Sequence, residues 1–263
     1  MSPRLALPQI LRKLLSRSPL RRPALILALL TSAPLMAADL TAYTEEWPPY
    51  NFAERGEVKG IATDILRAAC ADAKISCEFH LVPWARALAM VTSTPNTLVY
   101  TTARKASREH DFLWVGPILP RTTWVYGKKD SAPAIKSFAD LAQHRVGVVR
   151  GEASVQDLVV AGVPETSMVV DSANAAVLKL LSRGWAEAMV DTEIGMAWNL
   201  KTAQLAPADF VKLMKLADHG AYYFALNLKS DVNLHDRLQR ATDKLRKNGS
   251  IDRIVGSYAN RKH

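Results

Sequence analysis

The chain has 263 residues, with 34 lysines and arginines against 25 aspartates and glutamates, which gives a formal net charge of +9. Its two cysteines and six scattered histidines lack the spacing of a zinc site, and we expect no metal and no other cofactor. The sequence contains no GxSxG, HExxH, GxGxxG or P-loop pattern, which excludes the enzyme and nucleotide-binding classes that those motifs mark.

Residues 1–37 are typical of a secretory signal peptide. Residues 1–22 carry six basic side chains and no acid, the apolar run ALILALLTSAPLM follows, and small residues stand at Ala37 and Ala38. The run is shorter than the about 20 residues of a membrane-spanning helix, and no cysteine follows it for lipid attachment. We expect cleavage after Ala37 or Ala38 and release of a soluble protein.

Removing this segment changes the charge argument. The 34 basic residues lose six and the acidic residues lose none, which leaves 28 against 25, a net charge of +3. A nucleic-acid-binding domain needs a basic face, and we therefore expect no nucleic-acid partner. The remaining 226 residues suffice for one large domain or two lobes.

The first part of the mature chain alternates strand-like and helix-like segments. The run LTAY leads into EEWPPYNF, where adjacent prolines end the strand because they cannot donate to a β-ladder. Helical spacing of apolar residues then marks GIATDILRAACADA and PWARALAMV, and β-rich runs mark ISCEFHLV, TLVYTT and FLWVGPI. This order predicts parallel βαβ units.

A second series of the same kind begins near Asp130. It predicts strands at RVGVV, SMVV, EAMV and AYYFALNL, with helices between them. ANAAVLKLLSRG has a helical stripe from Ala173 to Leu181, and VNLHDRLQRATDKLRKNG has another from Leu234 to Leu245. The class predicted from these patterns is α/β.

Candidate binding residues follow the predicted strands, because open α/β sheets bind ligands at the carboxyl ends of their strands. They are aromatic, basic and acidic by turns, which suits a small polar organic ion. The predicted ligand-binding residues are Tyr43, Trp47, Tyr50, Trp84, Arg86, Thr102, Arg104, Arg108, Gly151, Glu152, Ser154, Asp191 and Glu193.

The WPPY loop admits two interpretations. Its prolines would hold Trp47 and Tyr50 ready as one wall of a cleft, where a ring face against an ammonium adds about 0.5–2 kcal/mol. Alternatively, Trp47 is a packing residue beneath the loop, as most large aromatics are.

Cys70 and Cys77 lie seven residues apart, at the end of a predicted helix and near the start of the returning strand. In an exported protein this placement favours a disulfide. Two small buried thiols would also fit the positions.

Several motifs in order resemble family 3 of the periplasmic solute-binding proteins of ABC importers, the polar-amino-acid type. They are LTAYTEEWPPYNF with GIATDIL, PWARAL, the run from Arg104 to WVGPI, FADLAQHRVGVVRGEAS, and the closing DRLQRATDKLRKNGSIDRIVGSY. The resemblance implies a two-lobed fold of type 2, with mixed sheets in each lobe and two crossing strands as the hinge. It implies a discontinuous lobe 1 (residues 38–125 and 223–263), a lobe 2 (residues 126–222), and crossings near Trp124–Gly127 and Gly220–Ala225.

The same resemblance implies roles for single residues. A basic residue after the third strand holds the ligand carboxylate, and here that place falls on Arg104 or Arg108. We favour Arg108 as the anchor, with Arg104 as support, because Glu109 and Phe112 after it match the family spacing best. Gly151 and Ser154 match the family's glycine and hydroxyl, whereas Glu152 stands where a serine or threonine is usual. Asp191 and Glu193 compete for the ligand amine.

The resemblance implies a monomeric, non-enzymatic protein that captures a zwitterion or carboxylate and delivers it to an inner-membrane ABC permease. Two alternatives stay open. One is a periplasmic dehydratase on the same fold, with Glu152 or Glu193 as a general acid or base. The other is a sensor component that docks to a receptor.

Overall fold

A computed structural model describes residues 38–217 and 220–259 of the chain. The predicted signal peptide and its cleavage point after Ala37 lie outside these residues. Within the described part, no helix combines the length and apolar character that crossing a membrane requires. The strands are β1 Leu40–Thr44, β2 Phe52–Glu54, β3 Glu57–Lys59, β4 Cys77–Leu81, β5 Thr97–Ala103, β6 Phe112–Pro120, β7 Thr123–Lys128, β8 Val146–Val149, β9 Met168–Asp171, β10 Ala188–Thr192, β11 Phe210–Ala217 and β12 Ala221–Asn227. The helices are α1 Ile61–Ala73, α2 Trp84–Ser93, α3 Phe138–Leu141, α4 Ala153–Val160, α5 Asn174–Ser182, α6 Glu193–Thr202, α7 Val232–Lys247 and α8 Ser250–Ala259.

The first sheet has the strand order β4-β1-β5-β12-β6. Strand β1 runs parallel to β4 and β5, as the strand–helix alternation predicts, and β12 runs antiparallel to β5 and β6. The sheet packs on α1, α7 and α8 through a core that includes Tyr100 and Phe224, both fully buried. The predicted α7 stripe is confirmed, since Leu234, Leu238 and Leu245 all lie in this core.

The second sheet has the order β11-β7-β10-β8-β9. Strands β8, β9 and β10 are parallel to one another, and β7 pairs antiparallel with β10 and β11. Its two faces carry separate apolar clusters, one around Val148 and Leu158 and one around Val177 and Met189. Both sheets are mixed, which confirms the predicted α/β class.

The chain passes between the sheets twice. It leaves the first sheet at Pro120 and enters the second at Thr123, and it returns between β11 and β12. The first passage therefore lies just before the predicted crossing at Trp124–Gly127, a segment that belongs to β7. The lobe boundaries at residues 125/126 and 222/223 stay predictions.

A disulfide joins Cys70, in the last turn of α1, to Cys77, the first residue of β4. Lys74 caps the C-terminal end of the helix, and its left-handed backbone (φ 54°) turns the chain back towards the sheet. This reversal brings the two Cα atoms to 6.3 Å, within the usual range for a bridge.

Candidate functional site

A cleft of about 1190 Å³ lies where strand ends of the two sheets face each other. It receives side chains from both sheets and from the passage between β6 and β7. The charged and aromatic residues that line it are Glu45, Trp47, Trp84, Lys105, Arg108, Arg121, Phe138, Glu152, Asp157, Asp191, Lys215 and Tyr222.

The WPPY loop forms part of the wall. The backbones of Trp47 and Asn51 exchange hydrogen bonds of 2.7 and 3.0 Å, which close the turn around the two prolines. Trp47 lines the cleft, half-buried, and packs on Tyr50 and Tyr222 at centroid distances of 4.6 and 5.5 Å. Trp47 is thus both a packing residue and a cleft residue.

Tyr50 has a different position from Trp47. It is 1% exposed and does not line the cleft. Its hydroxyl donates a 2.9 Å hydrogen bond to Oγ1 of Thr192, at the end of β10 in the second sheet. Tyr50 therefore ties the loop of one sheet to a strand end of the other.

Three carboxylates share the inner part of the cleft. Glu45 follows β1, Glu152 precedes α4, and Asp191 is the penultimate residue of β10. Burial raises the pKa of Glu152 to about 7, and the charge of Glu45 adds to the rise. Burial, and then the charge of Glu152, raises the pKa of Asp191 well above its usual value.

Fixed hydrogen bonds orient two of these acids. Asn174 Nδ2 donates to Glu152 Oε1 at 3.1 Å, and the Ser154 hydroxyl donates to Oε2 at 3.4 Å. Asp191 accepts from the Thr192 backbone N–H at 2.7 Å and from Asn199 Nδ2 at 3.0 Å. Both carboxyl groups are therefore held in place before any ligand enters.

Asp157 on α4 binds two cations. Lys105, in the loop after β5, donates to Asp157 Oδ1 at 3.0 Å and to the Ala153 carbonyl at 3.3 Å. Arg121 donates to the other carboxylate oxygen and is 7% exposed. This cluster links the first sheet, the passage between the sheets and the second sheet.

The two arginines of the predicted carboxylate anchor have different surroundings. Arg104 bonds Glu109 through Nε at 2.9 Å and lies over the rings of Trp114 and Tyr223, at 5.7 and 5.4 Å. Arg108 lines the cleft, and its guanidinium has no hydrogen-bond or ion-pair partner among residues 38–217 and 220–259. Arg108 is therefore the arginine of the pair that is available to a ligand.

The other predicted site residues divide into two groups. Trp84, Gly151 and Ser154 line the cleft with those described above. Besides Tyr50 and Arg104, four lie elsewhere: Tyr43 stacks on His80, Arg86 is exposed on α2, Thr102 is buried in β5, and Glu193 pairs with Lys212.

Sequence reasoning did not single out Glu45, Lys105, Arg121, Asp157 or Tyr222, which all line the cleft. Glu45 and Lys105 follow predicted strands, as the predicted residues do, and position alone gives no reason to prefer them to their neighbours. Arg121 and Asp157 do not directly follow a predicted strand, and only their pairing in space identifies them.

We expect Glu152→Gln to stabilise the free protein above neutral pH. The folded-state pKa of Glu152 is raised, so the folded protein binds its proton more tightly than the unfolded chain does, and stability falls as the pH rises from about 4.3 to about 7. Glutamine removes this loss, and at pH 8 we expect a gain of about 1–2 kcal/mol in unfolding free energy. Urea unfolding at pH 5 and pH 8 measures it. A parent and variant that differ equally at both pH values would contradict the expectation.

Comparison with known proteins adds to this geometry. A family model for bacterial extracellular solute-binding proteins, family 3, matches residues 40–261. No curated protein matches the chain.

Solved structures share the fold at low sequence identity. A histidine kinase sensor domain with similarity to periplasmic binding proteins aligns with TM-score 0.73 and 19% identity, over 84% of this chain and 96% of that one. An amino acid ABC transporter substrate-binding protein from Streptococcus pneumoniae, bound to L-arginine, aligns with TM-score 0.70 and 17% identity, over 85% of this chain and 95% of that one. An ancestral amino acid-binding protein described as a precursor of cyclohexadienyl dehydratase aligns with TM-score 0.69 and 20% identity, over 84% of this chain and 95% of that one.

Proposed function

The chain belongs to family 3 of the bacterial extracellular solute-binding proteins, and from this we propose that it captures an amino acid or a related small carboxylate between its two sheets. In this proposal the protein works in the periplasm and delivers the ligand to an inner-membrane ABC permease. A similar structure is a substrate-binding protein of an amino acid ABC transporter, which supports the proposed route.

The charge pattern of the cleft carries the proposal. Arg108 faces the cleft from the first sheet, and Asp191 and Glu152 face it from the second. A guanidinium suits a carboxylate because it can donate two parallel hydrogen bonds. The carboxylates suit an ammonium. A zwitterion that spans the cleft would meet both.

A panel of amino acids tests the proposal. The purified protein is dialysed and titrated by calorimetry with each of the common L-amino acids, and mass spectrometry under native conditions identifies whatever co-purifies. We expect at least one amino acid, or a close carboxylate relative, to bind at micromolar concentration or below. If none binds and nothing co-purifies, amino acid capture is wrong.

We expect ligand binding to close the cleft by a hinge motion about the two passages between the sheets. Trp47 and Trp84 line the cleft, so their fluorescence should change as water leaves. Small-angle scattering with a saturating ligand from the panel should show a smaller radius of gyration. An unchanged radius at saturation would count against closure.

Glu152 also supports an enzymatic alternative. A carboxyl group in a cleft with a pKa of about 7 is suited to donate or accept a proton at neutral pH. The calorimetric samples therefore also serve as assays, because a dehydratase would convert its ligand and a binding protein would return it unchanged. A product that disappears in Glu152→Gln would favour the enzyme.

A further inference from the structure

A second pocket, of about 310 Å³, lies outside the cleft between α6 and α8. Helix α6 follows β10 of the second sheet, whereas α8 packs on the first sheet. The pocket is therefore bounded by elements of both sheets. Its lining is mainly apolar and aromatic and consists of Pro49, Glu193, Ile194, Ala197, Trp198, Lys201, Val255 and Tyr258.

The sequence of α6 explains why this helix can border such a pocket. The helix has apolar side chains around most of its circumference, as expected for a helix that packs on both sides. Met196 and Leu200 pack in the core of the second sheet. Ile194 and Trp198 pack against the core of the first sheet. Helix α6 therefore joins the two sheets, and the pocket lies beside this junction.

The lining selects the chemistry of an occupant. The rings of Trp198 and Tyr258 lie 6.4 Å apart, and aromatic molecules pack well on such rings. Glu193 and Lys201 have opposite charges, so the pocket favours neither an anion nor a cation. Its volume is at the small end of the about 300–1,000 Å³ of ligand pockets, which suits one ring system. The side chain of Ala197 is exposed, so the pocket is open to solvent there.

The walls of this pocket are also walls of the cleft. Pro49 lines the pocket, and Trp47 in the same loop lines the cleft. Glu193 lines the pocket, and Asp191, two residues earlier, lines the cleft. The hydrogen bond from the WPPY loop to the end of β10 joins these two walls. An occupant of the pocket would therefore contact the same segments that present side chains to a ligand in the cleft.

This position has a consequence for hinge motion. Closure of the cleft moves the second sheet relative to the first, and it therefore moves α6 relative to α8 and Pro49. The cleft measures about 1190 Å³ in the present arrangement, more than a closed site for a small ligand needs. A molecule that fits the pocket in this arrangement stabilises the open protein and opposes closure.

We propose that the pocket between α6 and α8 is a second binding site, which takes a small neutral molecule built on one aromatic ring system. The effect of this molecule on the cleft rests on the proposed function. Binding to the pocket itself does not, because the pocket exists whatever the cleft captures.

Fluorine NMR with 5-fluoroindole tests the site directly. This probe is neutral and has one aromatic ring system, and its fluorine signal is distinct from the tryptophans of the protein. We expect saturable binding to the mature protein with a dissociation constant below about 1 mM, as a fragment of this size can reach. 5-Fluoroindole-2-carboxylate and 5-fluorotryptamine carry a negative and a positive charge on the same ring system, and both should bind the pocket more weakly.

Variants that fill the pocket locate the probe. Ala197→Phe adds a ring from the side of the second sheet, and Val255→Phe adds one from the side of the first sheet. Each should weaken 5-fluoroindole binding by at least about tenfold, because the added ring occupies the space of the probe. Ala203→Phe is the control, because Ala203 is exposed at the C-terminal cap of α6 and does not line the pocket.

The effect on the cleft is measured with an amino acid from the panel. Saturating 5-fluoroindole should raise the dissociation constant of that amino acid by at least about fivefold in the parent, and the amino acid should weaken the probe by the same factor. In Ala197→Phe the probe should have no such effect. An amino acid affinity that the bound probe leaves unchanged would overturn the coupling between pocket and cleft.

The other outcomes separate the pocket from amino acid capture. If 5-fluoroindole does not bind, or if Ala197→Phe and Val255→Phe bind it like the parent, the second site is wrong. A charged relative that binds the pocket more tightly than 5-fluoroindole would overturn the neutral occupant. If the probe binds, Ala197→Phe abolishes its binding and no amino acid binds, the second site stands and amino acid capture is wrong.

Discussion

Replacing Arg108 by alanine is expected to lower the affinity for the ligand identified in the amino acid panel by roughly thirtyfold to a few thousandfold. The reason is that a paired, desolvated anchor is worth about 2–5 kcal/mol when one partner is removed. Arg108 faces the cleft without a competing partner among the described residues, so its guanidinium is free to bind a ligand carboxylate. Calorimetric titration of the parent and the variant measures the loss.

Arg104→Ala is the matched control for this experiment. Arg104 is four residues away in the same loop, but it is bound to Glu109 and lies over Trp114 and Tyr223. We expect its loss to change affinity by less than about tenfold, as for a residue that supports the loop. Arg108→Lys keeps the positive charge but loses the two parallel N–H donors of the guanidinium. Its affinity for the ligand should therefore lie between those of the parent and the alanine variant. If both alanine variants and the double variant bind like the parent, the carboxylate-anchor hypothesis is wrong.

Periodicity in the sequence predicted most of the secondary structure, because burial of one helix face produces a repeat that a single chain displays by itself. The stripe on α7 is the clearest case. The stripe on α5 is confirmed at Val177 and Leu181, which lie in the core, but it was wrong at its start: Ala173 caps the helix and is exposed, while Asn174 is buried. Asn174 can be buried because its amide bonds Glu152, and hydrophobicity alone does not reveal that partner.

The lining of the cleft was predicted only in part, for a related reason. Strand ends could be located from the sequence, and this brought Trp47, Arg108 and Asp191 into consideration. Which side chain turns into the cleft depends on partners far along the chain. Tyr50 is turned away because its hydroxyl meets Thr192, 142 residues later.

The cluster around Asp157 leads to the second large effect. Asp157→Ala should lower the unfolding free energy by about 3 kcal/mol, because it leaves the buried guanidinium of Arg121 without a carboxylate. This value lies at the low end of the stability loss expected when one partner of a buried ion pair is removed, because the Asp157 side chain is 24% exposed. For a chain of this size the melting temperature should fall by about 6–12 °C. Calorimetric or circular-dichroism melting measures it.

The pH dependence of this contribution has a definite sign. Burial raises the pKa of Asp157, but hydrogen bonds from Arg121 and Lys105 outweigh it and leave the pKa below its usual value. A carboxyl group with a lowered folded-state pKa stabilises the protein above its unfolded pKa of about 3.9 and loses that contribution as the pH falls through the folded value. The unfolding free energies of the parent and of Asp157→Ala should therefore show their full difference at pH 7 and converge in acid.

A double variant distinguishes an unpaired charge from lost packing. Replacing Arg121 by methionine and Asp157 by leucine removes both charges while keeping apolar volume, and such replacements of buried ion pairs are often neutral or stabilising. Lys105, 22% exposed at its side chain, can turn towards solvent when Asp157 is gone. We therefore expect the double variant to recover most of the stability that Asp157→Ala loses. A double variant as unstable as the single one would show that Asp157 stabilises the fold by some means other than neutralising Arg121.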